Sequence, residues 1–278
     1  MKPISEEEAR RIAEQLYRYD NIASERAATI GEAADGKAVD FYRRNGYLIV
    51  DRLIDEGEVA AALREVTDIA EGRIAGPRIV YSRQSERSGS PEPIDSIRKI
   101  NDYAEYAPAL GAMTRKPELL GLLEALLGER PRNILNQALL KPPNIGEEKP
   151  WHQDMAYGNQ NYTRQTVTIW IALDEAGLDN GCMHIIPRSH LGGGVPHYQI
   201  RDWQMCDSRV DVERDLAVPL RPGGALIFSG LLHHGTPANF SDRRRRSLQL
   251  RYAPESAELM TREAYRLMFT NDLIDVEC

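Results

Sequence analysis

Hydrophobic positions in the first part of the chain recur mainly at helical spacing. Ser5 and Glu8 form a capping-box pattern, in which a helix-initiating serine is followed three residues later by glutamate. Ile12, Leu16 and Tyr17 then fall on one face of the helix that this pattern begins. The same spacing predicts helices over 38–45, which ends at Gly46, over 55–71, and over 117–127, which ends at Gly128, whereas the apolar run at 47–50 predicts a strand.

The pattern changes at about residue 132, where short β-prone runs replace the helical spacing. Strands are predicted at 134–140, 166–173, 183–186, 225–229 and 247–252, separated by the turn sequences KPPN, DNG, PRS and RPGG. Several short strands without intervening helices favour an antiparallel sandwich or barrel over a parallel sheet.

Two segments fall outside this regular pattern. The Ser- and Pro-rich stretch 82–96 predicts a mobile surface loop. Residues 191–216 form a long irregular insertion, and such segments in a compact domain are usually lids or flexible loops.

Composition and charge narrow the class of protein. The chain has 278 residues, 42% of them hydrophobic and 28% charged, which is typical of a globular protein whose core needs no disulfide or structural metal. Its net charge of −7 argues against a general nucleic-acid binder, because such binders neutralise phosphates. No run approaches the length of a membrane span, and the acidic N-terminal residues do not resemble a signal peptide.

The cysteines point to a cellular compartment. Cys182, Cys206 and Cys278 are too few and too irregularly spaced for a disulfide framework, and no two of them form a CxxC pair. This pattern predicts a reducing environment and a cytoplasmic location.

The histidines give the strongest indication of chemistry. All six lie between residues 152 and 234, and the sequence WHQD places His152 and Asp154 two residues apart. On an extended strand these two side chains point to the same face, so an imidazole and a carboxylate can bind one cation. A third ligand is expected from His233 or His234, which end an apolar strand. Two histidines and one carboxylate leave three positions open on iron(II), as in non-haem oxygenases.

Interpretations that need no metal ion also account for these histidines. An isolated HxD sequence arises often by chance, but the distant histidine after an apolar strand strengthens it here, and the arginine motif that follows strengthens it again. The remaining histidines, His184, His190 and His197, are predicted to be ordinary polar or packing residues.

Four consecutive arginines follow the last histidine pair. One interpretation is a solvated edge strand, and nucleic-acid contact is a weaker alternative for an acidic chain. Along a strand, Arg243 and Arg245 face one way and Arg244 and Arg246 the other. An arginine that points into the barrel needs an anion, and a dicarboxylate co-substrate would supply one through a bidentate contact.

Taken in order, these motifs resemble the phytanoyl-CoA dioxygenase family of Fe(II)/2-oxoglutarate oxygenases. The resemblance extends from about Phe41 to Ala253 and comprises FYRRNGYLIV, IRKIND, LLKPPN, WHQD, TIWIALDEAGLDNGCMHIIPRSH and RPGGALIFSGLLHHGTPANFSDRRRRSLQLRY. It implies a mainly β fold with flanking helices, a double-stranded β-helix of the jelly-roll, cupin-like type. The expected single domain, 1–278, has a mostly helical part at 1–130, a jelly-roll core at 131–255 and a C-terminal helix or tail at 256–278.

The resemblance also implies roles for particular residues. It makes His152, Asp154 and His234 the iron ligands; His234 is preferred over His233 because the family histidine precedes a glycine and a small hydroxyl residue. The remaining implied residues all contact 2-oxoglutarate: Arg245 through the distal carboxylate, together with Thr236, Trp170, Lys99 and Gln137. Arg188 departs from the family pattern, which usually has glycine at that turn.

The implied reaction is hydroxylation of an unactivated C–H bond in a small to mid-sized metabolite, with O2 consumed and succinate and CO2 released. Asp154 favours this outcome, because related halogenases have Gly or Ala there and so leave a site for chloride. Desaturation, ring closure and epimerisation are alternative outcomes of the same cofactor chemistry. A non-redox zinc metalloenzyme and a non-catalytic jelly-roll binding module are the rival classes.

The substrate is not fixed by the sequence. Met155, Tyr157 and Trp203 either line an apolar substrate pocket or pack locally. No nucleic-acid or membrane partner is expected, and a homo-oligomer is left open.

Overall fold

The fold was analysed in a computed structural model, which describes residues 4–82, 92–144, 147–157, 161–270 and 278. The α-helices are α1 (Glu6–Leu16), α2 (Ile30–Ala33), α3 (Gly36–Asn45), α4 (Glu56–Ala70), α5 (Pro108–Met113), α6 (Pro117–Leu127) and α7 (Arg262–Phe269). The strands are β1 (Ala27–Thr29), β2 (Tyr47–Arg52), β3 (Arg78–Tyr81), β4 (Ile97–Asn101), β5 (Pro131–Lys141), β6 (Lys149–His152), β7 (Val167–Ala172), β8 (Met183–Ile185), β9 (His197–Gln199), β10 (Trp203–Met205), β11 (Leu216–Val218), β12 (Ala225–Ser229), β13 (His234–Thr236) and β14 (Arg245–Pro254).

Two sheets pack face to face. The larger has eight strands in the order β1-β2-β12-β7-β14-β5-β4-β3, and the smaller has four in the order β11-β8-β13-β6. Apart from the parallel β1–β2 pair, every pairing within them is antiparallel. This arrangement, with helices on the outer face of the larger sheet, is the predicted double-stranded β-helix.

Alternate residues of the larger sheet face two different cores. Leu48, Ile169 and Leu250 pack on the outer face with helix residues such as Val66 and Leu123. Because side chains alternate along a strand, the intervening residues point inward to the smaller sheet. On this inner side Ile49, Trp170 and Leu226 pack against Met183 and Ile185.

The predicted helix ends agree with the structure. Ser5 Oγ accepts the Glu8 N–H at 3.1 Å and so caps α1. The helix α3 ends at Gly46, whose φ of 84° is left-handed, and α6 ends at Gly128 with φ of 77°. These ends are set by local chemistry, because a capping hydroxyl completes the hydrogen bonding of the first turn and a left-handed glycine completes that of the last turn.

The N-terminal part contains more strand than the hydrophobic pattern predicted. The sequence IRKIND forms β4, and β1 to β4 together supply half of the eight-stranded sheet. Of the loop predicted over 82–96, residues 83–91 lie outside the described ranges, and Pro93–Ser96 forms a 3₁₀ turn.

The insertion at 191–216 is more ordered than its sequence indicated. It contains the antiparallel hairpin β9–β10 and two 3₁₀ turns.

Cys206 in this insertion forms a disulfide with Cys278, and Cys182 stays free and buried. The sequence had indicated no disulfide framework, so this single pair was not expected, and the cysteines no longer argue for a reducing compartment. No helix in the described ranges is both long and apolar enough to span a lipid bilayer.

Two left-handed glycines at helix ends allow a matched stability test. A Cβ at Gly46 would clash with the His190 ring and lie 2.8 Å from Leu232 Cδ1, whereas a Cβ at Gly128 would meet no described atom within 4 Å. We expect Gly128→Ala to lower the free energy of unfolding by about 1 kcal/mol through backbone strain. Gly46→Ala should lower it by a further ~1–3 kcal/mol through overpacking. Urea denaturation measures both values, and equal losses would contradict the packing argument.

Candidate metal centre

The site is created where β6 pairs with β13. His152, the last residue of β6, lies directly opposite His234, the first residue of β13. Gln153 keeps an extended backbone before Asp154 begins a 3₁₀ turn, so His152 and Asp154 project to the same side. Two segments that are distant in sequence thus bring three potential ligands together.

The three side chains have a spacing that suits one cation. His152 Nε2 and His234 Nε2 each lie 3.6 Å from Asp154 Oδ1, and all three donor atoms lie within 4.8 Å of one another. Ligands about 2.1 Å from a shared ion can be at most ~4.2 Å apart, so both histidine–aspartate distances fit. All three residues are buried. The neighbouring His233 does not line the cavity, which agrees with the preference for His234 as the third ligand.

Both histidines are held with Nε2 directed to the centre. His152 Nδ1 donates to the Pro150 carbonyl oxygen at 2.7 Å, and His234 Nδ1 donates to the Leu232 carbonyl oxygen at 2.8 Å. Because a carbonyl only accepts, each Nδ1 keeps its proton and each Nε2 keeps a free lone pair. Burial also lowers the pKa of His152 well below its ordinary value, which favours the neutral form that binds metals.

Asp154 is fixed by a second set of side chains that sequence reasoning missed. Arg251 Nη2 lies 2.5 Å from Asp154 Oδ1, while Thr168 Oγ1 and Gln249 Nε2 donate to Oδ2 at 2.6 Å and 3.1 Å. Burial by itself would raise the pKa of Asp154, but Arg251 and the two neighbouring histidines together outweigh it, so the pKa is held well below the ordinary range. The sequence could have indicated that Arg251 faces the site, since Arg251 lies six residues after Arg245 and so shares its face of β14.

Arg245 points inward and the other three arginines of its run do not. Their guanidinium groups pair with carboxylates at 2.7–2.8 Å: Arg243 with Asp179, Arg244 with Asp95, and Arg246 with Asp174. Arg245 is only 2% exposed, and its charge lies 5.2 Å from the centre of the Trp170 ring. The solvated-edge interpretation is therefore wrong for Arg245.

Two hydrogen-bonding groups at Arg245 and its neighbour Thr236 have no partner among the described residues. Arg245 Nη1 donates to Ser247 Oγ at 3.0 Å, but among the described residues neither its Nε nor Thr236 Oγ1 has a hydrogen-bond partner. Burial lowers the pKa of Arg245 to about 10, so the guanidinium stays charged at neutral pH. A buried cation with spare donors beside a free hydroxyl suits a carboxylate ligand.

The predicted site residues share one cavity of about 150 Å³ between the two sheets. All eight of them line it: His152, Asp154, His234, Arg245, Thr236, Trp170, Gln137 and Lys99. Gln137 donates a hydrogen bond to Gln249, which also bonds to Asp154. Burial lowers the pKa of Lys99 to about 7, and the nearby charges of Lys149 and Arg98 contribute.

Only one of the three residues suggested for an apolar substrate pocket lines the cavity in the structure. Tyr157 lines the cavity, with its ring edge-on to His152. Met155 and Trp203 do not line it; they pack with Leu231 and Phe269 in a separate cluster. For these two residues local packing is the correct interpretation.

The fold and the site together define a double-stranded β-helix metalloprotein, with two histidines and one carboxylate facing a cavity that also contains a guanidinium without a carboxylate partner among the described residues. The donor set fits iron(II), because it is the facial arrangement of non-haem iron oxygenases. Residues 42–247 match the sequence model of the family described as phytanoyl-CoA dioxygenase (PhyH). The chain belongs to the PhyH family, as its motifs suggested.

Individual relatives agree with this membership. A probable phytanoyl-CoA dioxygenase from Caenorhabditis elegans is 25% identical over 235 residues, which cover 77% of this chain and 73% of that protein. A probable alpha-ketoglutarate-dependent hypophosphite dioxygenase from Stutzerimonas stutzeri is 29% identical over 224 residues, covering 78% and 77%. The crystal structure of EvdO2 from Micromonospora carbonacea var. aurantiaca, complexed with 2-oxoglutarate, superposes with a TM-score of 0.64 at 25% identity, covering 82% and 93%.

Arg251 should control metal affinity through Asp154. We expect Arg251→Met to weaken Co(II) binding by roughly 10–100-fold, because the carboxylate loses the partner that orients it and keeps it ionised. Arg251→Lys should fall between this variant and the wild type. Arg246→Met is the matched control, since Arg246 pairs with Asp174 away from the cavity. Calorimetric titration gives the affinities, and an unchanged value in Arg251→Met would show that Asp154 needs no such support.

Proposed function

We propose that this protein is an Fe(II)- and 2-oxoglutarate-dependent dioxygenase that hydroxylates an unactivated C–H bond of a small to mid-sized metabolite. Succinate and CO2 are the expected co-products. The observation that carries the proposal is the buried Arg245 guanidinium, without a carboxylate partner among the described residues, in the same cavity as the three potential metal ligands. A zinc hydrolase or a non-catalytic jelly-roll module gives no reason for this cation.

His152, Asp154 and His234 would hold the iron. Iron bound there supplies the dioxygen chemistry, with 2-oxoglutarate as the co-substrate that is decarboxylated. The carbonyl oxygens of Pro150 and Leu232 keep the two imidazoles oriented for binding. Arg251 keeps Asp154 ionised, so that the carboxylate is ready to bind a cation without first losing a proton.

Arg245 would bind the distal carboxylate of 2-oxoglutarate by a charge-assisted, bidentate contact. Thr236 Oγ1 is free to donate to the same carboxylate, and Trp170 closes one side of the guanidinium. Holding the far end of the co-substrate leaves it one direction in which to approach the metal, which is the positioning that catalysis requires. Lys99 and Gln137 are proposed as further co-substrate contacts because both line this cavity.

The volume of the cavity limits the size of the substrate. A volume of about 150 Å³ corresponds to roughly five water molecules at the ~30 Å³ that each occupies in the liquid, and the co-substrate has to share this space. This favours a small substrate. Desaturation, ring closure and epimerisation remain alternatives to hydroxylation.

Several expectations from the sequence stay predictions. They are a single domain over 1–278 with the three parts given above, a cytoplasmic location, and no nucleic-acid or membrane partner. A homo-oligomer stays open.

The role of Arg245 separates co-substrate binding from metal binding. With added Fe(II), we expect oxygen-dependent conversion of 2-oxoglutarate to succinate, and Arg245→Ala should raise the 2-oxoglutarate requirement by roughly 10–100-fold, the effect of losing a charged hydrogen bond. The iron requirement should change only a few-fold. Arg243→Ala is the control, because Arg243 is exposed and pairs with Asp179. An equal rise in both requirements would reject the proposed role.

Lys99 should make co-substrate binding depend on pH. Its pKa of about 7 means that the ammonium is largely present below pH 7 and largely lost above it, so the affinity for dianionic 2-oxoglutarate should fall as the pH rises through and beyond this value. We expect Lys99→Met to bind weakly with little dependence on pH, whereas the surface variant Lys37→Met should behave as the wild type. Anaerobic binding to the Co(II)-loaded protein between about pH 6 and 8.5 measures this. A Lys99→Met profile that parallels the wild type would assign the dependence to another group.

A further inference from the structure

Gln153 lies between two of the proposed metal ligands but does not face the cavity. Its side chain is completely buried, at 0% exposure, and does not line the cavity. Its Nε2 donates to the Leu231 and Gly193 carbonyl oxygens at 2.7 Å and 2.8 Å, and its Oε1 accepts the Val195 N–H at 2.9 Å. Both amide hydrogens and the amide oxygen are therefore in use.

These contacts join the segments that carry the metal ligands. Leu231 precedes Leu232, whose carbonyl oxygen orients His234, so the Gln153 side chain ties the His152–Asp154 segment to the backbone that leads into the third ligand. The sheet pairing at this point is short, because β13 has three residues and its register with β6 shifts after His234. A side-chain link between the two segments thus adds a constraint that the strand ladder provides only in part.

The same residue also joins both segments to the insertion that contains β9 and β10. His197 Nε2 accepts the backbone N–H of Gln153 at 2.9 Å, and His197 Nδ1 donates to the Val195 carbonyl oxygen at 2.8 Å. A backbone N–H only donates, so His197 must be neutral with its proton on Nδ1. The sequence predicted an ordinary polar or packing residue at His197, and the structure gives it a polar role, because it accepts the backbone N–H between His152 and Asp154.

We propose that Gln153 is a positioning residue that fixes the spacing of His152 and His234 and couples the metal centre to the insertion at 191–216. The proposal rests on the proposed function of His152, Asp154 and His234 as ligands. An apolar replacement would leave two carbonyl oxygens and one N–H without partners in a buried location, which forces the three segments apart or admits water. The donor geometry loosens as a result, and the insertion loses its attachment to the site.

Gln204 provides a matched control within the same insertion. It is also 0% exposed, and its amide bonds to Arg201 N at 3.0 Å and to Asp207 Oδ1 at 3.0 Å, so none of its hydrogen bonds reaches a metal-bearing segment. Gln153→Met and Gln204→Met therefore both remove a buried amide of the same size. Only the first removes a link to His152 and His234.

Co(II) binding and amide hydrogen exchange test the proposal without turnover. We expect Gln153→Met to weaken Co(II) binding about 10–100-fold and to speed exchange within 193–199, whereas Gln204→Met should keep Co(II) affinity within about threefold of wild type. His197→Ala should weaken Co(II) binding to a smaller extent, and His197→Gln, which can still accept the Gln153 N–H, should restore it. This second pair of variants gives an answer even if Gln153→Met does not fold.

Two outcomes would overturn the proposal. One is equal Co(II) affinity in Gln153→Met and Gln204→Met, and the other is wild-type affinity in His197→Ala. The ligand assignment is tested separately, because His234→Ala should abolish Co(II) binding whatever Gln153 does. Retained binding in His234→Ala would reject the proposed function, not the link made by Gln153.

Discussion

The antiparallel pairing that sets His152 opposite His234 is the constraint on which the site depends. It places two imidazoles at adjacent strand ends, and the extended backbone of Gln153 then brings Asp154 to the same point. None of these residues contributes to a metal site alone, because each supplies one donor atom. The jelly-roll topology makes the site by bringing together strands that the sequence separates widely.

Strand β14 organises the surroundings of that pairing. Its even-numbered residues, such as Leu248 and Leu250, anchor the sheet to the helices, while Arg245, Gln249 and Arg251 line the cavity. Two of these are buried guanidiniums with different partners. Arg251 is neutralised by Asp154, so it belongs to the support of the metal site, whereas Arg245 has no carboxylate among the described residues and is suited to a ligand. This difference in pairing, and not burial itself, distinguishes the two roles.

The wall behind the site is built from the insertion and the C-terminal helix. Tyr265 Oη donates to the Ala156 carbonyl oxygen at 2.6 Å, and Phe269 packs beside Met155, so α7 supports the turn that begins at Asp154. The disulfide between Cys206 and Cys278 closes a loop of 72 residues, which in a chain-entropy model stabilises the fold by about 4 kcal/mol. The contact from α7 thus supports the ligand-bearing turn directly, whereas the disulfide acts by lowering the entropy of the unfolded chain.

The sequence by itself determined what depends on neighbouring residues or on ordered motifs. Helix ends such as Gly128, the HxD spacing and the family pattern that selected His234 could be predicted from it. The alternation along the last strand could be predicted from Arg245 onward, but not at Arg243, which precedes β14 and lies at the surface. The tertiary structure decided what depends on partners distant in the chain: the carboxylate that Arg251 holds, the three segments that Gln153 joins, and the disulfide at Cys206. Capping, period and turn chemistry act over a few residues, whereas these contacts exist only once strand pairing has closed the loops between them.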